Sequence, residues 1–160
     1  MKKCVFAGTF DPITNGHAFV IDKCLTMFDE VVIAVGVNVD KSPIFTLEQR
    51  VEMIKAVYGD NKNVTVKTFD GMLTDFMKEN QIFVTVRGIR DIDDYKYETT
   101  MSRYNQDMYP EITTVFIPTP ANLTYVSSSA VRNIINLKSD FSAYVPSAVS
   151  AIATEIINKK

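Results

Sequence analysis

Gly8-Thr9-Phe10-Asp11-Pro12-Ile13-Thr14-Asn15-Gly16-His17 follows directly on an apolar run, Cys4-Val5-Phe6-Ala7, and precedes an amphipathic one. A strand that ends in a Gly/Pro/Asn loop and re-enters as a helix aims free backbone N–H groups, and the positive end of a helix dipole, at one point. That geometry suits a phosphate. The stretch closes on the only histidine among 160 residues, a donor placed where negative charge can build up in a reaction. The spacing is neither G-x-x-x-x-G-K-[ST] nor G-x-G-x-x-G, so P-loop and dinucleotide-binding readings lose their main support.

The same alternation continues along the chain. Apolar runs rich in Val, Ile and Phe predict strands over 3–7, 31–37, 64–68, 83–87 and 113–117. Several are apolar almost throughout, as strands covered on both faces should be. Helical periodicity predicts helices over 17–28, 47–58, 73–80, 92–108, 128–137 and 146–158. Thr46 with Gln49 fits a capping box, and Pro146 fits a first helical position. Strand–helix alternation implies an α/β fold with right-handed crossovers: a single Rossmann-like domain over 1–160, its five-stranded parallel sheet covered by helices on both faces and followed by C-terminal helices. Ligands then bind beyond the C-terminal strand ends, at the switch point of the strand order. Thr9 to His17, Lys41, Leu73, Arg87 to Arg90 and Leu123 to Ser129 fall after strands one to five, so five distant segments converge on one rim.

Composition narrows the classes. At 46% hydrophobic residues, one domain with a sizeable core is expected. Seventeen basic against nineteen acidic residues leave no broad patch for nucleic acid or a membrane surface. No apolar run approaches the roughly 20 residues that span a bilayer, and the apolar segment after Met1-Lys2-Lys3 is too short for a signal-peptide core. Cys4 and Cys24 form no C-x-x-C pair and read as buried, reduced thiols. The expected location is cytoplasmic.

Several residues have ordinary roles by spacing alone. Asp11, before a proline, organises a turn. Lys41 sits in a polar loop, Arg50 belongs to a helix surface or an ion pair, and Glu98 would be a solvated helix residue. Arg87 and Arg90 can pair with Asp91, Asp93 or Asp94, yet two forked guanidiniums around a flexible Gly88 also make a phosphate clamp. One serine of Ser127-Ser128-Ser129 caps a helix, and the remaining N–H and hydroxyl groups suit an anion. Tyr97, Met101, Tyr104 and Met108 recur at helical spacing, the mark of core or of a subunit interface.

Thr14-Asn15-Gly16-His17 resembles the signature of the nucleotidyltransferase superfamily that carries H-x-G-H or T-x-G-H. Ile44-Phe45-Thr46-Leu47-Glu48-Gln49-Arg50, Val86-Arg87-Gly88-Ile89-Arg90 and Val126-Ser127-Ser128-Ser129 follow in that superfamily's order and spacing. With them the chain resembles the phosphopantetheine adenylyltransferases from about Lys2 to the C-terminal helix. The resemblance implies adenylyl transfer from ATP to 4′-phosphopantetheine, giving dephospho-coenzyme A and pyrophosphate. It implies catalytic roles for His17, Lys41 and Arg90, and an acceptor site at Thr9, Lys41, Leu73 and Arg87. For ATP it implies Thr9, Phe10, His17, Gly88, Ile89, Arg90, Glu98 and the run Leu123, Thr124, Tyr125, Val126, Ser127, Ser128 and Ser129. Leu123 stands where the family often carries Trp, and Ala7 where it usually carries Pro. The resemblance further implies Mg2+ held by ATP phosphates and water, a homohexamer, and coenzyme A as feedback ligand. Rival readings are a nicotinate-mononucleotide adenylyltransferase, a glycerol-3-phosphate cytidylyltransferase, or a non-catalytic nucleotide-binding module on the same fold.

Overall fold

Alternation within the first strand decides the layering. Cys4 and Phe6 join a core with Val20, Ile21 and Cys24 on one side of the sheet, whereas Val5 and Ala7 join Phe76, Met77, Tyr109 and Ile112 on the other. Both faces are therefore apolar and both are covered, which is why the strand reads as a continuous apolar run. Each fully buried Val or Ile contributes about 1.5–3 kcal/mol over an exposed one. The computed structural model describes residues 1–37 and 43–159.

The strands are β1 (Lys3–Gly8), β2 (Glu30–Gly36), β3 (Val64–Phe69), β4 (Val84–Ile89) and β5 (Thr113–Pro118). They pair in parallel in the order β3-β2-β1-β4-β5. The helices are α1 (Asn15–Met27), α2 (Leu47–Tyr58), α3 (Leu73–Glu79), α4 (Ile92–Met108), α5 (Ser128–Asn136) and α6 (Ser147–Asn158). The chain moves outward from β1 to β2 and β3, then returns to the opposite side of β1 for β4. The strand order thus reverses between β1 and β4, where their C-terminal ends leave a crevice.

The expected elements all form, with informative differences. Thr46 and Gln49 make the capping box, but Pro146 is the N-cap of α6 and not its first helical residue. β4 runs two residues further than the apolar pattern indicates. Gly88 lies inside it, in register with Ile117 of β5, and is not a flexible hinge. A Cβ at Gly88 would stand 2.9 Å from a Val20 methyl carbon, so glycine here admits α1 against the sheet. The Tyr97/Met101/Tyr104/Met108 stripe is not core: Tyr97, Tyr104 and Met108 are exposed on α4.

Candidate functional site

A cleft of about 860 Å³ opens at the β1/β4 switch point. Its wall takes in Gly8 to Asp11, Thr14, Gly16 and His17 from the first loop and helix. Arg87, Gly88, Arg90, Asp94 and Glu98 come from β4 and α4, and Val126 to Ser129 with Arg132 from α5 and its approach. The walls are polar as well as apolar, as a phosphate-bearing ligand requires.

His17 is the third residue of α1, and Thr14 caps that helix. The Thr14 N–H donates to His17 Nδ1 at 3.0 Å, and the Thr14 hydroxyl lies 3.1 Å from the same nitrogen. A backbone amide can only donate, so Nδ1 is the unprotonated acceptor and the ring carries its proton on Nε2. The imidazole thus closes a capping box where a Glu or Gln usually stands. Its pKa is lowered to about 4, first by burial and then by the Arg90 and Arg87 charges. At neutral pH it is a neutral Nε2–H donor. The ring of Phe10 meets it edge-on at 5.1 Å, and Phe6 lies 6.1 Å away. Phe10 itself is 1% exposed and has a positive φ of 50°, so its ring is core support for His17 while its backbone borders the cleft.

The loop carrying Thr9 is fixed from outside. Arg50 Nη1 donates to the Thr9 carbonyl at 2.7 Å, Arg132 Nη1 to the Asp11 carbonyl at 2.9 Å, and the Ser128 hydroxyl to the Pro12 carbonyl at 2.8 Å. The Asp11 carboxylate accepts the Ile44 and Phe45 amides at 3.0 and 2.9 Å, a structural use that ties this loop to the approach of α2. Arg50 is therefore neither a surface residue nor an ion-pair partner of the kind its spacing suggests: it is 4% exposed and bonded to carbonyls. Neither Arg50 nor Arg132 was among the expected site residues. Their acceptors lie 41 and 121 residues away, beyond any local pattern.

Across the rim, Arg87 lies between Glu98 and β1. Its Nε and Nη2 donate to the two Glu98 oxygens at 2.7 Å each, and Nη1 donates to the Ala7 carbonyl at 2.8 Å. Glu98 is buried by this fork and is not the solvated helix residue that its spacing suggests. Arg90 is half exposed and held more loosely by Asp94, at 3.2 and 3.4 Å. Asp91 caps α4 through the Asp94 amide, and Asp93 pairs with Lys96.

The three serines divide their work. Ser127 caps α5 through the Ala130 amide, Ser128 holds Pro12, and Ser129 accepts from Arg132 at 3.0 Å. The remaining expected residues stand differently. Leu73 opens α3 and packs with the second core, away from the cleft wall. Ile89, Leu123, Thr124 and Tyr125 also lie off the wall, Tyr125 stacking edge-on with Tyr144. Lys41 lies outside the described residues. Among the described residues no three His, Cys, Asp or Glu side chains come together as a metal site.

Residues 5–134 match the cytidylyltransferase-like family model. The chain is 42% identical over 149 residues to the phosphopantetheine adenylyltransferase of Clostridium kluyveri, covering 93% of this chain and 91% of that protein. It is 39% identical over 155 residues to the enzyme of the same name from Heliobacterium modesticaldum, covering 97% and 92%. A crystal structure described as a nicotinate-nucleotide adenylyltransferase from Vibrio parahaemolyticus superposes with a TM-score of 0.73 over 97% of this chain and 93% of that one. At 20% identity it shows the fold alone.

Proposed function

The chain belongs to the phosphopantetheine adenylyltransferase family, and from that premise we propose that it transfers the adenylyl group of ATP to 4′-phosphopantetheine. The observation that carries the chemistry is the neutral His17 donor on the same cleft wall as two guanidiniums. An acceptor phosphate is already anionic, so no protein nucleophile or general base is required. One of its oxygens bonds to the α-phosphorus, the bond from that phosphorus to the bridging oxygen breaks, and pyrophosphate leaves. Positioning and preorganised donors can supply most of such a catalysis.

In this reading His17 Nε2–H donates to an α-phosphate oxygen as charge builds on it. Thr9 lies between the substrates, Arg87 grips the acceptor phosphate with Lys41, and Arg90, the amides of Ser127 to Ser129 and the hydroxyls of Ser127 and Ser129 take the ATP phosphates, the Ser128 hydroxyl staying on Pro12. The Phe10 backbone, Gly88, Glu98 and Val126 border the nucleotide on the cleft wall, while Ile89, the 123–125 segment and Leu73, which lie off that wall, take no direct part in this reading. The carboxylates on the wall, Asp11, Asp94 and Glu98, are each already engaged by amides or arginines. In this reading Mg2+ would be held mainly by ATP phosphates and water, without a dedicated carboxylate cage, and would neutralise phosphate charge. Incubation with ATP and each candidate acceptor, followed by pyrophosphate release, tests the reading. Turnover with phosphopantetheine is expected; turnover with nicotinate mononucleotide or glycerol 3-phosphate instead would overturn it.

The same reading extends to a homohexamer, to coenzyme A as a ligand competing for this cleft, and to a cytoplasmic location. Support for assembly is the α4 stripe: Tyr97, Tyr104 and Met108 are 62%, 58% and 40% exposed. Among the described residues no helix is long and apolar enough to cross a membrane. Sedimentation equilibrium should give a mass several times the 18.0 kDa of one chain; a stable monomer at micromolar concentration overturns the assembly.

A further inference from the structure

Arg50 stands apart from every group assigned to substrate above. It lies in the first turn of α2, almost wholly buried, and reaches two strand ends at once. Nη1 donates to the Thr9 carbonyl at 2.7 Å and to the Gly36 carbonyl, at the end of β2, at 3.2 Å. Its Nε is buried with no hydrogen-bond partner among the described residues. Burial pulls its pKa down against the opposing charges of Asp11 and Glu48. A buried charge is weak support for stability, since a well-packed apolar side chain of similar size often serves as well or better. Stability alone therefore does not explain an arginine kept here with one N–H unsatisfied.

What the guanidinium holds does explain it. Asp11 and Pro12 have their carbonyls taken by Arg132 and Ser128 from α5. Among the described residues, Arg50 alone holds the Thr9 carbonyl, and it ties that carbonyl to the neighbouring strand end. Thr9 is on the cleft wall and Arg50 borders the same cleft, but the Arg50 Nη1 is turned to the two carbonyls. We infer that Arg50 is a positioning residue: by bridging the Thr9 and Gly36 carbonyls it aims the Thr9 hydroxyl at the reacting phosphates. This rests on the adenylyl-transfer reading for the chemistry, though not for the clamp.

The test compares Arg50→Lys, which keeps the charge but whose shorter side chain draws its nitrogen back from the place where Nη1 bridges the two carbonyls, with Arg50→Met. Misplacement by about 1 Å can cost on the order of a hundredfold in rate. Arg50→Lys should lower kcat/KM for phosphopantetheine by about tenfold to a hundredfold, with Arg50→Met worse and the KM for ATP nearly unchanged. In a Thr9→Val background the same Arg50→Lys change should cost less than about twofold, because coupled residues are not additive. Tyr58→Phe serves as a stability control: it sits on the same helix but bonds Asp22 and the Ala18 carbonyl. It should lower the unfolding temperature without moving either kinetic constant. Amide hydrogen exchange over 9–11 reads the clamp with no substrate present and should quicken about tenfold in Arg50→Lys. Additive kinetic effects, or unchanged exchange, would overturn the inference. An inactive wild type with quickened exchange in the variant would overturn the adenylyl-transfer reading and leave the clamp standing. Arg50→Gln takes the place of Arg50→Lys if the latter is not recovered folded, with the same outcomes.

Discussion

The loop between β1 and α1 and the turn between β4 and α4 share one rim, but they are held by opposite means. In the loop, carbonyls and a carboxylate are taken by groups from outside it: Arg50, Arg132, Ser128 and the Ile44 and Phe45 amides. None of those bonds needs to break for a ligand to arrive, so the His17 donor and the Thr9 backbone are set in advance. In the turn, the two guanidiniums rest on carboxylates of α4, Glu98 and Asp94. On the proposed reading, an incoming phosphate would share those guanidiniums with their carboxylates. Fixed dipoles need no reorganisation in the transition state and so serve rate. Guanidiniums shared with a carboxylate serve recognition, because their charge is fully available only to a strong anion.

The largest effect expected from this contrast is on the fixed side. His17→Ala should lower turnover by about 3–4 kcal/mol, roughly a hundred- to a thousandfold, while ATP affinity falls far less. Steady-state kinetics beside calorimetric titration with ATP decide it. A variant that turns over at near-native rate but binds ATP poorly would move His17 to the recognition side.

A smaller effect separates the two arginines. Arg87→Ala strands the Glu98 carboxylate, whose side chain is 9% exposed, and should cost about 1–3 kcal/mol of stability with loss of acceptor binding. Arg90→Ala removes a half-exposed pair, should cost less than about 1 kcal/mol, and should weaken ATP binding instead. Adding Glu98→Gln to Arg87→Ala should restore part of the stability. Denaturant titration and calorimetry with each ligand test this; equal losses for both ligands end the division of labour.

The smallest effect is a titration. As the only histidine, His17 gives a single imidazole signal by NMR, and it should titrate at about 4 in the free protein. Since the folded value lies below the ordinary 6.5 of the unfolded chain, the unfolded state binds the proton first as pH falls. Stability from this group is whole above pH 6.5 and is lost as pH drops toward 4. A midpoint near 6.5 would mean that burial and the Arg90 and Arg87 charges do not bear on the ring as the structure places them.

The sheet was legible because apolar runs alternate with helical spacing, and each boundary moves by only a residue or two. The first loop was legible too, because Gly, Pro, Asn and a lone His in that order imply both backbone geometry and chemistry. What escaped has a common cause. Arg50 and Arg132 owe their positions to partners far along the chain, and Glu98 to an arginine 11 residues back, on a helix whose composition reads as solvated. Gly88 looked like a hinge because its strand continues past the apolar run; only the approach of Val20 reveals why a side chain is excluded. The α4 stripe shows the limit of periodicity, which identifies a face without saying what covers it. Leu73 and the 123–125 segment follow strand ends, as their order in the chain indicates, but they lie away from the cleft wall: a place after a strand does not fix which way the chain turns.

The Arg132 bond to the Asp11 carbonyl spans 121 residues, and that of Ser128 to Pro12 spans 116. A ribosome releases the loop early, long before the side chains that hold it. During synthesis the first loop therefore emerges with two of its carbonyls still facing water, and the nascent chain has no finished cleft until α5 has left the exit tunnel. The loop that opens the rim is thus made more than a hundred residues before the helix that completes it.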